Sequence, residues 1–201
     1  MGDLTLTAER ETFAVEPIDR LWSELWPLLE KHYSEVAHYR DIPLAPDKAG
    51  YFSAWSAGFL RCFTVRKGGR LVGYCAFFVK CNAHYVSSLQ AVQDVLYLDP
   101  TIRGGRVALR FIRWIESRLR AEGVQVVYQH LKVATPRTVR FFEAMGYEPI
   151  DTLMAKRLDD GCSIGGPDHG LRSRRHQRGG GADGQATEAG HPGDTNDKGT
   201  R

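Results

Sequence analysis

The chain of 201 residues contains no run of about 18 apolar residues, so it offers no candidate transmembrane helix. Its N-terminal stretch carries Asp3, Glu9 and Glu11 where a secretory leader needs a basic and then an apolar segment, and a soluble, cytoplasmic protein is therefore expected. The four cysteines, Cys62, Cys75, Cys81 and Cys162, form no C-x-x-C pair, which removes the usual zinc and redox spacings; the first three fall in apolar runs and read as reduced core thiols. Two phosphate-binding signatures are missing from the strand-to-helix turn over residues 99–108 as well: it carries no G-x-G-x-x-G, and no Gly-Lys-Ser/Thr follows it. A large excess of one sign of charge is lacking too. A formal net charge of +3, with 25% charged residues, excludes both an acidic solvating chain and a protein that coats DNA by bulk charge.

The last stretch, residues 159–201, lacks aromatics altogether and holds only six apolar residues against 11 of the 21 glycines. Such a segment cannot bury enough surface to offset its ordering entropy, so a disordered Gly/Arg-rich tail is expected after a folded unit of residues 1–158. Within it the cluster Arg172-Ser173-Arg174-Arg175-His176-Gln177-Arg178 is open to two readings, a bare solvated tail or a phosphate-attracting anchor for nucleic acid.

What remains is strongly patterned. Ile18, Leu21, Trp22, Leu25, Leu28, Leu29, Tyr33 and Val36 recur at helical spacing, with Pro27 placed to kink or divide the helix. A second short helix is expected over residues 48–57. Two strand-like runs, 59–66 and 71–80, flank Lys67-Gly68-Gly69-Arg70 and predict a β-hairpin. Residues 86–98 read as a further strand closed by Asp99-Pro100. Ala108, Phe111, Ile112, Ile115 and Leu119 then form one helical stripe ending near Gly123. A strand over 124–133, a short helix over 136–145 and a last strand over 147–158 complete the order β, α, α, β, β, β, α, β, α, β.

The stretch richest in chemistry is Leu96-Tyr97-Leu98-Asp99-Pro100-Thr101-Ile102-Arg103-Gly104-Gly105-Arg106-Val107-Ala108, which joins an apolar strand to a helix through a glycine-bearing turn. Free backbone NH groups and the positive end of a helix dipole make such a turn an anion site, with phosphate the natural guest, though a plain strand-to-helix connection would look the same. With the element order, this turn resembles the GNAT family of acetyl-CoA-dependent N-acetyltransferases, which places R/Q-x-x-G-x-G/A after a strand ending like L-Y-V-x-P. A second landmark is Phe142-Glu143-Ala144-Met145-Gly146-Tyr147, similar to the family's Y-E-K-L-G-F. The resemblance spans about residues 10–158 and implies an α/β (α+β) fold, a mixed central sheet of six or so strands flanked by about four helices.

Carried onto this sequence, the resemblance implies that backbone NH groups of Arg103, Gly104, Gly105, Arg106, Val107 and Ala108 hold the coenzyme A pyrophosphate. Leu96 and Leu98 would pair through their backbone with the pantetheine arm. Arg106 stands where the family usually has Gly, and Phe142 where it frequently has a tyrosine general acid. Strand alternation sets Asp94 on the face of Leu96 and Leu98, as a candidate base or a structural acid. His130, with Lys132 on the same strand face, is a second candidate for the cleft or an ordinary hydrogen-bonded histidine. The stretch from His32 to Tyr39 lies where relatives form the acceptor wall, with Glu35 and Tyr39 as candidate substrate contacts. Arg103, Arg106, Arg110, Arg113 and Arg120, opposite the apolar stripe, would be a solvated face or a field for the adenosine phosphates.

The implied activity is transfer of acetyl from acetyl-CoA to a primary amine by direct attack, without a metal and without a membrane partner. A narrower likeness points to small acetyltransferases of bacterial viruses, with a protein or nucleobase amine as acceptor. The alternatives are a GNAT-shaped binding module that has lost catalysis, as Phe142 and Arg106 permit, and an acyltransferase acting on DNA or a modified nucleobase.

Overall fold

The computed structural model describes residues 10–159, apart from residues 104 and 133. The expected tail over 159–201, its arginine cluster and Cys162 lie outside the described residues except for Asp159, which pairs with Arg157.

Five strands form a mixed sheet in chain order: β1 (Thr12–Val15), β2 (Leu60–Lys67), β3 (Arg70–Cys81), β4 (Leu89–Leu98) and β5 (Val126–Tyr128). All neighbours are antiparallel except β4 and β5, which run parallel. A parallel neighbour needs a crossover, and α3 (Val107–Ala121) supplies it. The predicted hairpin joins β2 to β3: Lys67 pairs with Arg70 across Gly68 and Gly69, whose φ angles are 56° and 74°. Positive φ at both central residues is what a tight hairpin turn requires, and glycine reaches it without a Cβ clash.

Helices cover both faces. On one side α1 (Ile18–Val36) buries Ile18, Leu21, Leu25 and Leu28 against Leu60, Cys62, Tyr74, Ala76 and Tyr97, with α2 (Lys48–Ser56) packed beside it. Burying one such leucine is worth about 1.5–3 kcal/mol. Pro27 does not divide α1. It is exposed, so the carbonyl that loses its helical partner there can face water, while Leu25 and Leu28 hold the helix on either side. On the other side α3 buries Val107, Phe111, Ile112, Ile115 and Leu119, joined by Phe142 of α4 (Pro136–Ala144). The helical stripe expected from Ala108 thus begins one residue earlier, at Val107.

Three expectations are corrected. The strand expected over 147–158 has no regular structure, and its Leu153, Met154 and Leu158 are 84–90% exposed. With β5 only three residues long, the sheet edge presents almost no ladder for another strand to join. For the same reason the strand expected over 124–133 shrinks, leaving His130 and Lys132 beyond its end and exposed. Cys62 and Cys75 are buried as expected, but Cys81, at the exposed end of β3, is not a core thiol.

Candidate active site

Pairing between β4 and β5 stops at Val92 and Tyr128, so Gln93 and residues 95–98 of β4 pair with β3 on one side and have no strand beside them on the other among the described residues. This open edge runs directly into a 3-10 turn, Pro100–Ile102, and then into the N-terminus of α3. Arg106, the residue preceding the helix, contributes no side-chain hydrogen bond to it. Gly105, at φ 77°, has nothing within 4 Å of where a Cβ would stand. The first NH groups of α3 therefore carry the positive end of the helix dipole without a built-in anionic cap, in open space reached by a glycine turn. That arrangement suits a diphosphate, and the open β4 edge suits an extended chain carrying amide groups.

Two details differ from the expected cradle. The Arg103 NH is already spent on the Pro100 carbonyl at 3.3 Å, because the 3-10 turn ends there, so it does not belong to the set of free donors. Gly104 is not among the described residues, which leaves Gly105, Arg106, Val107 and Ala108 at the turn. The Arg103 side chain also holds the end of β4, donating from Nε to the Leu98 carbonyl at 2.7 Å. Along α3, Arg110 binds Glu11 at 2.6 Å and lies over Phe13, while Arg106, Arg113 and Arg120 are exposed.

Asp94 is not on the face of Leu96 and Leu98. Val95 pairs with Ala76 but Gln93 pairs with Phe77, so Asp94 is an extra residue in β4, a β-bulge. The bulge breaks the two-residue period: Leu96 and Leu98 pack towards α3, whereas Asp94 points to the α1–α2 side, where its Oδ2 accepts from the Tyr51 hydroxyl at 2.5 Å. Burial and the neighbouring carboxylate push the Tyr51 phenol well above its ordinary range. His130, past the end of β5, donates its backbone NH to Gln93 Oε1 at 3.2 Å.

The α1–α2 side holds a cavity of about 1280 Å³. Its walls come from α1, the loop 37–46, Tyr51, the centres of β2, β3 and β4, and Leu131, Lys132, Ala134, Thr135 and residues 153–155. Val95 on β4 and Leu131 beyond β5 both line it, so it reaches the place where the two strands part. Glu35 and Tyr39 both stand on its wall. Glu35 is not free, however: Oε1 accepts from the Tyr97 hydroxyl at 2.9 Å and Oε2 from Arg103 at 2.7 Å. Burial works to raise its carboxyl, but the Arg103 and Tyr97 hydrogen bonds outweigh it and the group ends below the usual carboxylate range. Tyr39 packs edge-on against His38 and under the guanidinium of Arg157.

Beside Glu35 lies a cluster that sequence reading did not single out. His32 stacks on Tyr97 at 5.0 Å and its Nδ1 meets the Tyr74 hydroxyl at 2.9 Å; burial pulls the imidazole below its ordinary range. Burial and then Glu35 raise Tyr97 to about 12. A signal for Tyr97 existed, since a residue between Leu96 and Leu98 must face the other way. Tyr51 and Tyr74 carried none, because their partners lie 43 and 42 positions away in sequence. Phe142 is 1% exposed and packs edge-on to Phe141 and Tyr147, so it presents no group to the cavity.

Comparison with known proteins agrees with this fold. The model of the Acetyltransferase (GNAT) family matches residues 18–147. An IAA acetyltransferase of Azospirillum brasilense is 24% identical over 155 residues, 72% of this chain and 88% of that protein. Among solved structures, a ribosomal-protein-alanine N-acetyltransferase from Brucella melitensis biovar Abortus 2308 superposes with a TM-score of 0.58 at 15% identity, covering 75% of this chain and all of the other. An aminoglycoside acetyltransferase from an uncultured soil metagenomic sample, in complex with sisomicin, gives 0.60 at 12%, covering 74% and 97%. AAC(6')-Iy, in complex with a bisubstrate analogue, CoA-S-monomethyl-acetylneamine, gives 0.57 at 17%, covering 74% and 97%. At these identities the structural likeness carries the fold alone, and none of these relatives bears on the narrower likeness to viral enzymes.

Proposed function

The chain belongs to the GNAT acetyltransferase family, and from that premise we propose that it moves an acetyl group from acetyl-CoA to a primary amine held in the α1–α2 cavity. The observation that carries this reading is the open edge of β4 leading straight into the uncapped N-terminus of α3, with the cavity opening beside the same strand.

Gly105, Arg106, Val107 and Ala108 hold the diphosphate through their backbone NH groups, and the Arg106 guanidinium adds a phosphate contact in place of the closer approach a glycine would allow. The main chain at Leu96 and Leu98 aligns the pantetheine arm. Bound acetyl-CoA supplies an activated acetyl thioester, whose C–S bond is exchanged for a C–N bond to the acceptor. An acceptor ammonium must shed two protons over that exchange, one ending on sulfur and one in solvent.

Tyr51 and Asp94 provide the route to solvent. The Tyr51 oxygen, on the cavity wall, takes a proton from the amine as its own proton passes to Asp94 Oδ2, and Asp94, exposed at the bulge, releases it to water. His130, also exposed near the parting strands, is the second candidate. Phe142 leaves sulfur to be protonated by water. Glu35 acts as a wall residue whose charge Arg103 already balances.

The test is a thermal melt with coenzyme A followed by thiol release from acetyl-CoA over a panel of amines. A raised melting temperature and amine-dependent thiol release are expected. Binding without release on any amine would favour a non-catalytic module, and no shift with saturating coenzyme A would remove the cofactor assignment.

A further inference from the structure

Resting on the reading of the cavity as the acceptor site, we infer that the acceptor is a primary monoamine on an aromatic or comparably apolar body, and not a polyamine. The walls are the first reason. Trp22, Leu25, Leu29, Tyr33, Ile42 and Tyr51 line a space far larger than a simple amine needs, and such a surface gains by covering apolar area while offering a hydrophilic polycation few partners.

Charge is the second reason, and it counts ammonium groups. Among the described lining residues Glu35 is the one carboxylate, and Arg103 neutralises it at 2.7 Å. Behind that wall stands Asp94, which does not line the cavity itself but accepts from the Tyr51 hydroxyl that does. One uncompensated carboxylate serves one ammonium. Arg40 and Lys132 add positive charge to the same walls, so a second or third ammonium would meet repulsion and lose hydration without an ion partner. An aromatic monoamine satisfies both conditions, its ring against the apolar wall and its nitrogen towards Tyr51. Those two cations suit an acceptor that also bears a carboxylate, so a bare arylalkylamine and an aromatic amino acid share the required chemistry.

The experiment measures thiol release from acetyl-CoA with tryptamine, tryptophan, spermidine and kanamycin, on protein whose melting temperature is first shown to rise with coenzyme A. We expect kcat/KM for at least one aromatic amine to exceed that for both polycations by about 10²-fold, the order of discrimination a well-fitted apolar pocket supplies. Tryptamine against tryptophan decides whether Arg40 and Lys132 engage a carboxylate. Ile42→Glu, at a half-exposed wall position, should narrow the preference about tenfold by supplying a second acid. Equal or better turnover of spermidine or kanamycin, or no turnover of either aromatic amine, overturns the inference while the coenzyme A shift keeps the acetyltransferase reading. Absence of that shift overturns both.

Discussion

A single extra residue decides which way the candidate base points. Had β4 kept its alternation, Asp94 would sit with Leu96 and Leu98 under α3; the bulge opposite Ala76 and Phe77 turns it to Tyr51 and the cavity. Asp94→Asn and Tyr51→Phe should each keep the fold and coenzyme A binding while lowering kcat by about 10²- to 10⁴-fold, the usual worth of general acid-base catalysis. Because the proposed relay runs through both, the double variant should lose little more than the worse single one. Near-native turnover of Asp94→Asn at all pH values would make it structural and His130 the next residue to replace. His32 gives a second test at this scale. Burial lowers its folded pKa, so in acid the unfolded chain binds a proton that the folded one refuses. Its stabilising contribution is complete above the unfolded pKa of about 6.5 and is lost as pH falls from there towards the lower folded value. Urea unfolding between pH 7 and pH 5 should show stability falling, with a shallower fall in His32→Gln. Equal slopes would mean that the imidazole is not held neutral.

At the scale of elements, the site is made by what two strands fail to do. β4 and β5 pair over three residues and then part, and the crossover helix α3 begins where β4 ends. Gly105 lets the turn between them take φ 77°. Gly105→Ala meets no neighbour within 4 Å, so its effect comes from backbone strain alone, about 1–2 kcal/mol. The urea midpoint should drop accordingly, and coenzyme A affinity should weaken more than the midpoint shift implies, because relaxing the turn re-aims the NH groups of Arg106 and Val107. Unchanged affinity in a folded variant would show that this turn does not hold the diphosphate.

Across the whole molecule, the sheet divides two clusters with different tasks. The α3 side packs Phe77, Phe111, Ile115 and Leu119 into a buried apolar core; the α1–α2 side leaves a cavity over Tyr74, Ala76 and Val95. Coenzyme A bound where the clusters meet at β4 should stabilise the entire fold by linkage, about 2.7 kcal/mol at 100 times its dissociation constant, read as a rise in the melting temperature. Much of this organisation is legible without coordinates. Helical and alternating periodicities are properties of neighbouring residues, so α1, α2, α3, α4, the Gly68-Gly69 hairpin and the glycine turn before Val107 follow from local spacing. The motif around Arg103 points to the family for the same reason, since the role proposed for it runs through backbone groups in one short segment. Contacts between residues distant in the chain are different. Nothing local marks the bulge at Asp94, the capture of Glu35 by Arg103 68 positions away, or the arrival of Tyr51 at Asp94. An apolar run such as 147–158 reads as a strand until the sheet edge it would need proves only three residues long. Sequence alone thus determined the helices, the hairpin and the glycine turn before α3, because each is set by its own neighbours. Tertiary structure alone decided which acids are paired, which face of the sheet they serve and what cavity lies beside them, because those depend on which elements pack together.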